Sequence, residues 1–154
     1  MRIREAQIKD LDQILTLFEE TVKHIDIRDY SEAHLNVWSS SKNQKAWLQK
    51  IKEQSFYVAA VKNQIVGFSS IDSEGYLDFM YVHHQLQRQG VATALLEKIE
   101  SHASKMDLKR IWASVSITAQ PFFSKNGYEH YEDEHKMLSG VHFKNALMEK
   151  IIMP

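Results

Sequence analysis

The chain opens in alternation: Arg2-Ile3-Arg4-Glu5 sets charges around one apolar residue and reads as a short strand. The period then lengthens. Leu11, Ile14, Leu15, Phe18 and Val22 share one side of a 3.6-residue repeat, so a helix is expected after Asp10, with Asp10 as its cap. Ser31 is the expected N-cap of a second helical piece reaching Trp38. After the polar break Ser39-Ser40-Ser41-Lys42-Asn43, a third helix around Gln44 to Lys52 turns Trp47, Leu48 and Ile51 inward.

Phe56 to Val61 and Ile65 to Ile71 are nearly continuous apolar runs at hairpin distance across Lys62-Asn63-Gln64, which predicts an antiparallel pair. A turn at Asp72-Ser73-Glu74-Gly75 leads into a strand from Tyr76 to Val82. Beyond Gly90 a helix carries Ala94, Leu95, Ile99, His102, Ala103 and Met106 along one side. It is long enough to cross over to a parallel strand at Arg110 to Val115. Ala119 to Asn126 reads as a short helix stopped at Gly127. Tyr128 to Tyr131 and Asn145 to Ile151 are expected as a closing pair of strands, separated by a charged, glycine-containing connection. The whole describes one mixed α/β layer domain over residues 1–154, with α+β character.

Composition narrows the function classes. A formal net charge of -1 over 154 residues gives no general basic field for a nucleic-acid partner. With 0 cysteines there is no disulfide framework, no thiolate metal site and no thiol nucleophile, and no metal is expected. The N-terminal stretch is charged instead of apolar, and no run is long enough to span a bilayer, so the expectation is a soluble, cytoplasmic protein without a membrane partner. Nothing in the chain resembles a P-loop or a full dinucleotide fingerprint, which leaves an unrelated nucleotide-binding βα unit as the weakest reading.

The chemistry concentrates in Met80-Tyr81-Val82 followed by Gln87-Arg88-Gln89-Gly90-Val91-Ala92-Thr93. A strand running through a short polar loop into a helix exposes unpaired N–H groups at the positive end of the helix dipole, where a phosphate or pyrophosphate binds well. Gly90 lets the backbone approach a ligand closely.

Gln87, Gly90 and Ala92 resemble the Gln/Arg-x-x-Gly-x-Gly/Ala pyrophosphate loop of the GCN5-related N-acetyltransferases. Ile3-Arg4-Glu5-Ala6 with Asp10 resembles that family's first strand and helix cap. The run Ala119-Gln120-Pro121-Phe122-Phe123-Ser124-Lys125-Asn126-Gly127-Tyr128 resembles its late helix and following strand. Tyr30-Ser31 with Trp38, Ser116-Ile117-Thr118-Ala119, and Gly140 with Phe143 and Asn145 are similar to a bacterial branch of small members.

The resemblance implies a central, mostly antiparallel twisted sheet with one splayed parallel pair, flanked by helices. It implies acetyl-CoA as co-substrate and direct transfer of the acetyl group to a small-molecule or peptide amine, by a monomer or homodimer. Pantetheine would pair with the main chain of Met80, Tyr81 and Val82. The pyrophosphate would rest on Gln87, Arg88, Gln89, Gly90, Val91, Ala92 and Thr93, with Ser116 and Phe123 completing the cofactor site.

Asp78 is the candidate catalytic residue. By simple alternation it shares a face with Tyr76, Met80 and Val82, where an ionisable group is costly unless used. The bland alternative is an Asp78 that only pairs with a polar neighbour. Tyr30, Trp38 and Tyr76 are expected to line the acceptor pocket, although core packing explains Trp38 equally well. His83 and His84 at the strand's end are candidate proton relays or merely solvated loop residues.

Phe123 stands where many members carry a Tyr that protonates the departing thiolate, and Ser116 where Asn is frequent. Either the thiolate leaves unassisted, with a thiol pKa of about 8.5, or Tyr128 or Tyr131 serves. A catalytically weak or inactive acyl-CoA-binding regulatory module is the competing reading.

Overall fold

A computed structural model describes residues 1–153 of the chain. Its strands are β1 (Arg2–Glu5), β2 (Ser55–Val61), β3 (Gln64–Ile71), β4 (Leu77–Val82), β5 (Arg110–Val115), β6 (Glu129–Leu138) and β7 (Val141–Ile151). The helices are α1 (Leu11–Lys23), α2 (Glu32–Ser39), α3 (Gln44–Glu53), α4 (Val91–Lys105) and α5 (Gln120–Lys125), with 3-10 turns at Ile8–Asp10 and His84–Leu86.

The strands form two antiparallel sheets, ordered β1-β2-β3-β4 and β5-β7-β6. β4 and β5 are therefore facing edges. Among the described residues their only bridge is the parallel pair Tyr76 and Trp112, where the Trp112 N–H donates to the Gly75 carbonyl at 3.0 Å. Beyond that point the edges part, as the resemblance implied. Apolar packing holds the halves together under the split: Leu95, Ile99 and Ala103 of α4 share one core with Leu77 and Val82 of β4 and with Ile111, Ala113 and Val115 of β5. On the opposite face Ile14, Phe18 and Val22 of α1 pack with Leu35, Trp47, Ile51 and Phe68 in a second core.

Local chemistry explains most boundaries. The Ser31 Oγ accepts from the His34 N–H at 3.2 Å, as a cap should. Asp10 differs from its expected role. Its backbone is already helical and its side chain makes no cap bond to α1. Instead the carboxylate accepts the Gln7 N–H at 2.7 Å and both terminal nitrogens of Arg4, at 2.8 and 3.0 Å, fixing the exit of β1. Met106 lies just past α4 and is exposed, so it is not on the inner stripe.

The closing hairpin is longer than expected. β6 and β7 pair in register through Leu138 and Val141, with Ser139 and Gly140 at positive φ in the turn, so the expected charged connection is strand. β6 is open to solvent nearly throughout, and a strand without a buried face carries no alternation to read.

Candidate active site

The facing edges of β4 and β5 bound a cleft of about 1410 Å³ that continues past the start of α4 and under α1, α2 and the β6–β7 hairpin. Its shape follows from hydrogen-bond commitments. The His83 N–H donates to the Val66 carbonyl at 2.8 Å, and Val82 stands opposite Gly67. In an antiparallel ladder this makes Tyr81 and Phe68 the bonded pair and turns the main-chain groups of Met80 and Val82 to the open edge. The Tyr81 amide and carbonyl are thus spent on β3, while its side chain lines the cleft.

Gly90 precedes α4 at φ 84°, a left-handed conformation that suits glycine, and offers no side chain to cap the helix. The first-turn N–H groups therefore face the loop without a cap. A Cβ at Gly90 would meet nothing within 4 Å, so the backbone is open to a ligand. Gln87, Arg88, Ala92 and Thr93 line the cleft here, and the Gln87 Nε2 donates to the Val82 carbonyl at 3.4 Å. Gln89 is exposed and is not among the lining residues. The Val91 side chain is buried against α4's own core, so only its backbone is available to a ligand. On the β5 side Ser116 and Phe123 line the cleft. The Ser116 Oγ also accepts the Ala119 N–H at 3.3 Å.

Asp78 points the other way from its expected face. Ile71 pairs with Leu77 and Ser70 with Phe79, so Asp78 is the extra residue of a β-bulge. The bulge sends Leu77 to the α4 core and swings Asp78 toward α3. There its Oδ2 accepts from Lys50 Nζ and from Gln54 Nε2, both at 2.8 Å. The Lys50 ammonium lies over the Phe79 ring, 5.0 Å from its centre. Oδ1 accepts no protein hydrogen bond among the described residues, and Asp78, Lys50 and Tyr76 all line the cleft. Lys50 and Gln54 were not singled out from the sequence. Only the register of β3 with β4 brings them to Asp78.

Tyr30 does not line the cleft. It is buried against Trp38 and Phe143, and its hydroxyl accepts the Ile117 N–H at 2.9 Å. With the Thr118 hydroxyl donating to Asp29 at 2.8 Å, it ties the loop after α1 to the loop after β5. Trp38 does line the cleft, and its indole N–H donates to the Tyr81 hydroxyl at 3.3 Å. His84 stacks on both His83 and His24 at the end of α1.

The phenols are poor acids. Burial, then the Asp78 carboxylate, pushes Tyr76 up to about 12. Burial raises Tyr81 further, and burial with the Glu100 carboxylate raises Tyr128. Tyr128 donates to Glu100 at 2.9 Å and Tyr131 is exposed; neither lines the cleft.

The sequence matches a family model, an acetyltransferase (GNAT) domain, over residues 26–149. The chain belongs to the GNAT family. It is 29% identical to an uncharacterized N-acetyltransferase, YafP, of Escherichia coli K12 over 148 residues, 96% of this chain and 94% of that one. Among solved structures, a GCN5-related N-acetyltransferase from Rhodopseudomonas palustris superposes with a TM-score of 0.91 at 24% identity, covering 97% of this chain and 94% of its own. The PaiA N-acetyltransferase from Thermoplasma acidophilum, in complex with coenzyme A, gives 0.82 at 20% identity, covering 97% and 98%. The GNAT fold, an acetyltransferase activity in general and the mixed sheets flanked by helices are thereby established for this chain. Among its described residues no group of three or more His, Asp or Glu is placed to hold a metal ion, and no helix is long and apolar enough to cross a membrane.

Proposed function

We propose that the protein transfers an acetyl group from acetyl-CoA directly to the nitrogen of an amine. The observation that carries this reading is the split edge: Met80 and Val82 turn main-chain groups that have no strand partner, the Val82 carbonyl holding only the Gln87 side chain, toward a cleft beside the uncapped start of α4. A pantetheine arm would pair along that edge like an added strand. The pyrophosphate would sit on the N–H groups from Gly90 to Thr93, with Arg88 adding a charge-assisted contact. Coenzyme A bound to the PaiA relative supports the same use of this fold.

Acetyl-CoA supplies the activated acyl group. In the protein's share of the work, Asp78 holds the incoming ammonium through its open Oδ1, while Lys50 and Gln54 fix the carboxylate through Oδ2. One proton passes from the ammonium to Asp78 or to water and frees the nitrogen lone pair; the amine then attacks the carbonyl carbon, and the second proton leaves the nitrogen for water as the C–N bond forms. The C–S bond breaks and sulfur keeps the electron pair. Phe123 has no proton to give, and the raised phenols give none readily to a thiolate whose acid has a pKa of about 8.5, so the thiolate leaves unassisted.

Phe123 is also the observation that favours the second reading, an acyl-CoA-binding module without turnover. Thermal unfolding with acetyl-CoA and with ADP, followed by thiol release across a panel of amines, separates the two. Binding at a hundred times Kd stabilises by about 2.7 kcal/mol, a rise of roughly 5–10 °C in Tm. A rise with acetyl-CoA well above that with ADP, followed by amine-dependent thiol release, supports the transferase. The same rise with no amine giving release supports the module. No rise, or the same rise in Gly90→Asp, overturns both.

A further inference from the structure

The cleft contains a hydroxyl proton with nowhere to go. An indole N–H can only donate, so in the 3.3 Å contact between Trp38 Nε1 and the Tyr81 hydroxyl it is the phenol oxygen that accepts. The phenol's own proton then needs an acceptor, and no hydrogen bond given by that hydroxyl exists among the described residues. Its ring is enclosed by Phe18, edge-on at 5.1 Å, and by Phe68 at 5.4 Å, and neither has an acceptor. Both Trp38 and Tyr81 line the cleft, on the face of β4 opposite α4, where Trp47, Phe79 and Phe143 complete an aromatic wall. A hydroxyl that already accepts a hydrogen bond is polarised into a better donor.

Resting on the transferase reading above, we propose that Tyr81, oriented by Trp38, selects the acceptor: the amine it admits carries an oxygen that accepts a hydrogen bond, on an apolar or aromatic body. A hydrocarbon amine of the same shape strips water from the hydroxyl and gives nothing back, and an unmatched buried donor costs about 10- to 100-fold in affinity. Burial holds the Tyr81 phenol well above its ordinary value, so it stays protonated and donates throughout the working pH range. Its role is recognition, since so weak an acid does not surrender the proton.

The test uses matched amines that differ by one carboxamide: phenylalaninamide against 2-phenylethylamine, and leucinamide against 3-methylbutylamine. Binding is measured by calorimetry on the full chain saturated with coenzyme A, and kcat/KM by thiol release. The oxygen-bearing member of each pair is expected to bind about 10- to 100-fold more tightly. Tyr81→Phe should collapse that ratio toward one, raising KM for the carboxamide far more than it lowers kcat. Trp38→Phe, which removes the orienting N–H but keeps an aromatic ring, should reduce the ratio part-way.

No preference within either pair, including no binding by any member, overturns the proposal. So does a Tyr81→Phe protein that weakens both members equally, because that is packing. A Tm rise with acetyl-CoA in both variants certifies their fold, and loss of that rise in the wild type would instead strike the transferase reading. If Tyr81→Phe fails to fold, the Trp38→Phe ratio alone decides, and an unchanged ratio there overturns the assignment.

Discussion

The imidazoles of His24 and His84 lie face to face, with centroids 3.6 Å apart and planes 4° from parallel, and thereby join the end of α1 to the loop that leads into α4. Burial, then the facing His24 and His83, lowers the His84 pKa from the ordinary 6.5, while Glu20 opposes the shift. The His24 Nδ1 donates to the Glu20 carbonyl at 2.7 Å. A histidine harder to protonate when folded costs nothing at high pH, where both states are neutral. Stability should therefore fall as pH drops through 6.5 toward the lower folded value. Tm measured from pH 7.5 to 5.5 should decline, and His84→Phe, which keeps a flat ring in the stack, should flatten that decline.

Arg4 and Asp10 should act as one unit. The Arg4 hydrogen bonds, opposed by burial and aided by the Gln7 N–H, hold the Asp10 carboxyl below the usual carboxylate range. Such a group contributes stability that is present above its unfolded pKa and lost as pH falls through the folded one. Asp10→Asn is expected to cost about 2 kcal/mol at neutral pH, because the guanidinium and the Gln7 N–H lose a charged acceptor. Urea unfolding at pH 7 and pH 3 checks it, with the difference between the proteins shrinking at the lower pH.

Two glycines at positive φ should respond differently to alanine. At Gly75 an added Cβ would sit 2.4 Å from the Arg110 carbonyl oxygen, against main chain that cannot yield cheaply, whereas at Gly90 it meets open space. Both variants pay about 1–2 kcal/mol for the left-handed backbone, and Gly75→Ala pays for the clash as well. Calorimetric Tm values should rank wild type above Gly90→Ala above Gly75→Ala. Gly90→Ala should nonetheless show the weaker stabilisation by acetyl-CoA.

Asp78→Asn should leave the acetyl-CoA Tm rise intact while lowering kcat on the order of 100-fold, the usual scale for a lost proton acceptor. If kcat is retained, Asp78 serves only the Lys50 and Gln54 contacts. Lys50→Met, which removes the cation and leaves Oδ2 only its Gln54 hydrogen bond, should alter the pH profile of kcat/KM more than its maximum.

The order of elements was legible because it is local: periods of two and 3.6, Ser31 before a helix, Lys62-Asn63 between apolar runs, Gly90 before α4. What escaped depends on pairing between distant segments. Leu77-Asp78-Phe79 gives no sign of a bulge, since the slip is defined by the β3 residues opposite, and that slip moved Asp78 to the other face. The partners Lys50 and Gln54, and the attachment of Tyr30 to Ile117, are likewise set by tertiary packing. The length of β6 escaped for the opposite reason: wet on both faces, it has no pattern, although Gly140 marked the turn that ends it.

The bridge between Tyr76 and Trp112 makes the molecule a lever. β4 runs six residues from that fulcrum, about 20 Å at 3.3 Å per residue. A rotation of roughly 3° there moves the far lip of the cleft by about 1 Å, using a strand of that rise as the arm. A side chain at the closed end, far from any bound molecule, thus sets the gauge of the opening at α4. Variation around Gly75 is the place to look when two such enzymes grip the same co-substrate with different strength.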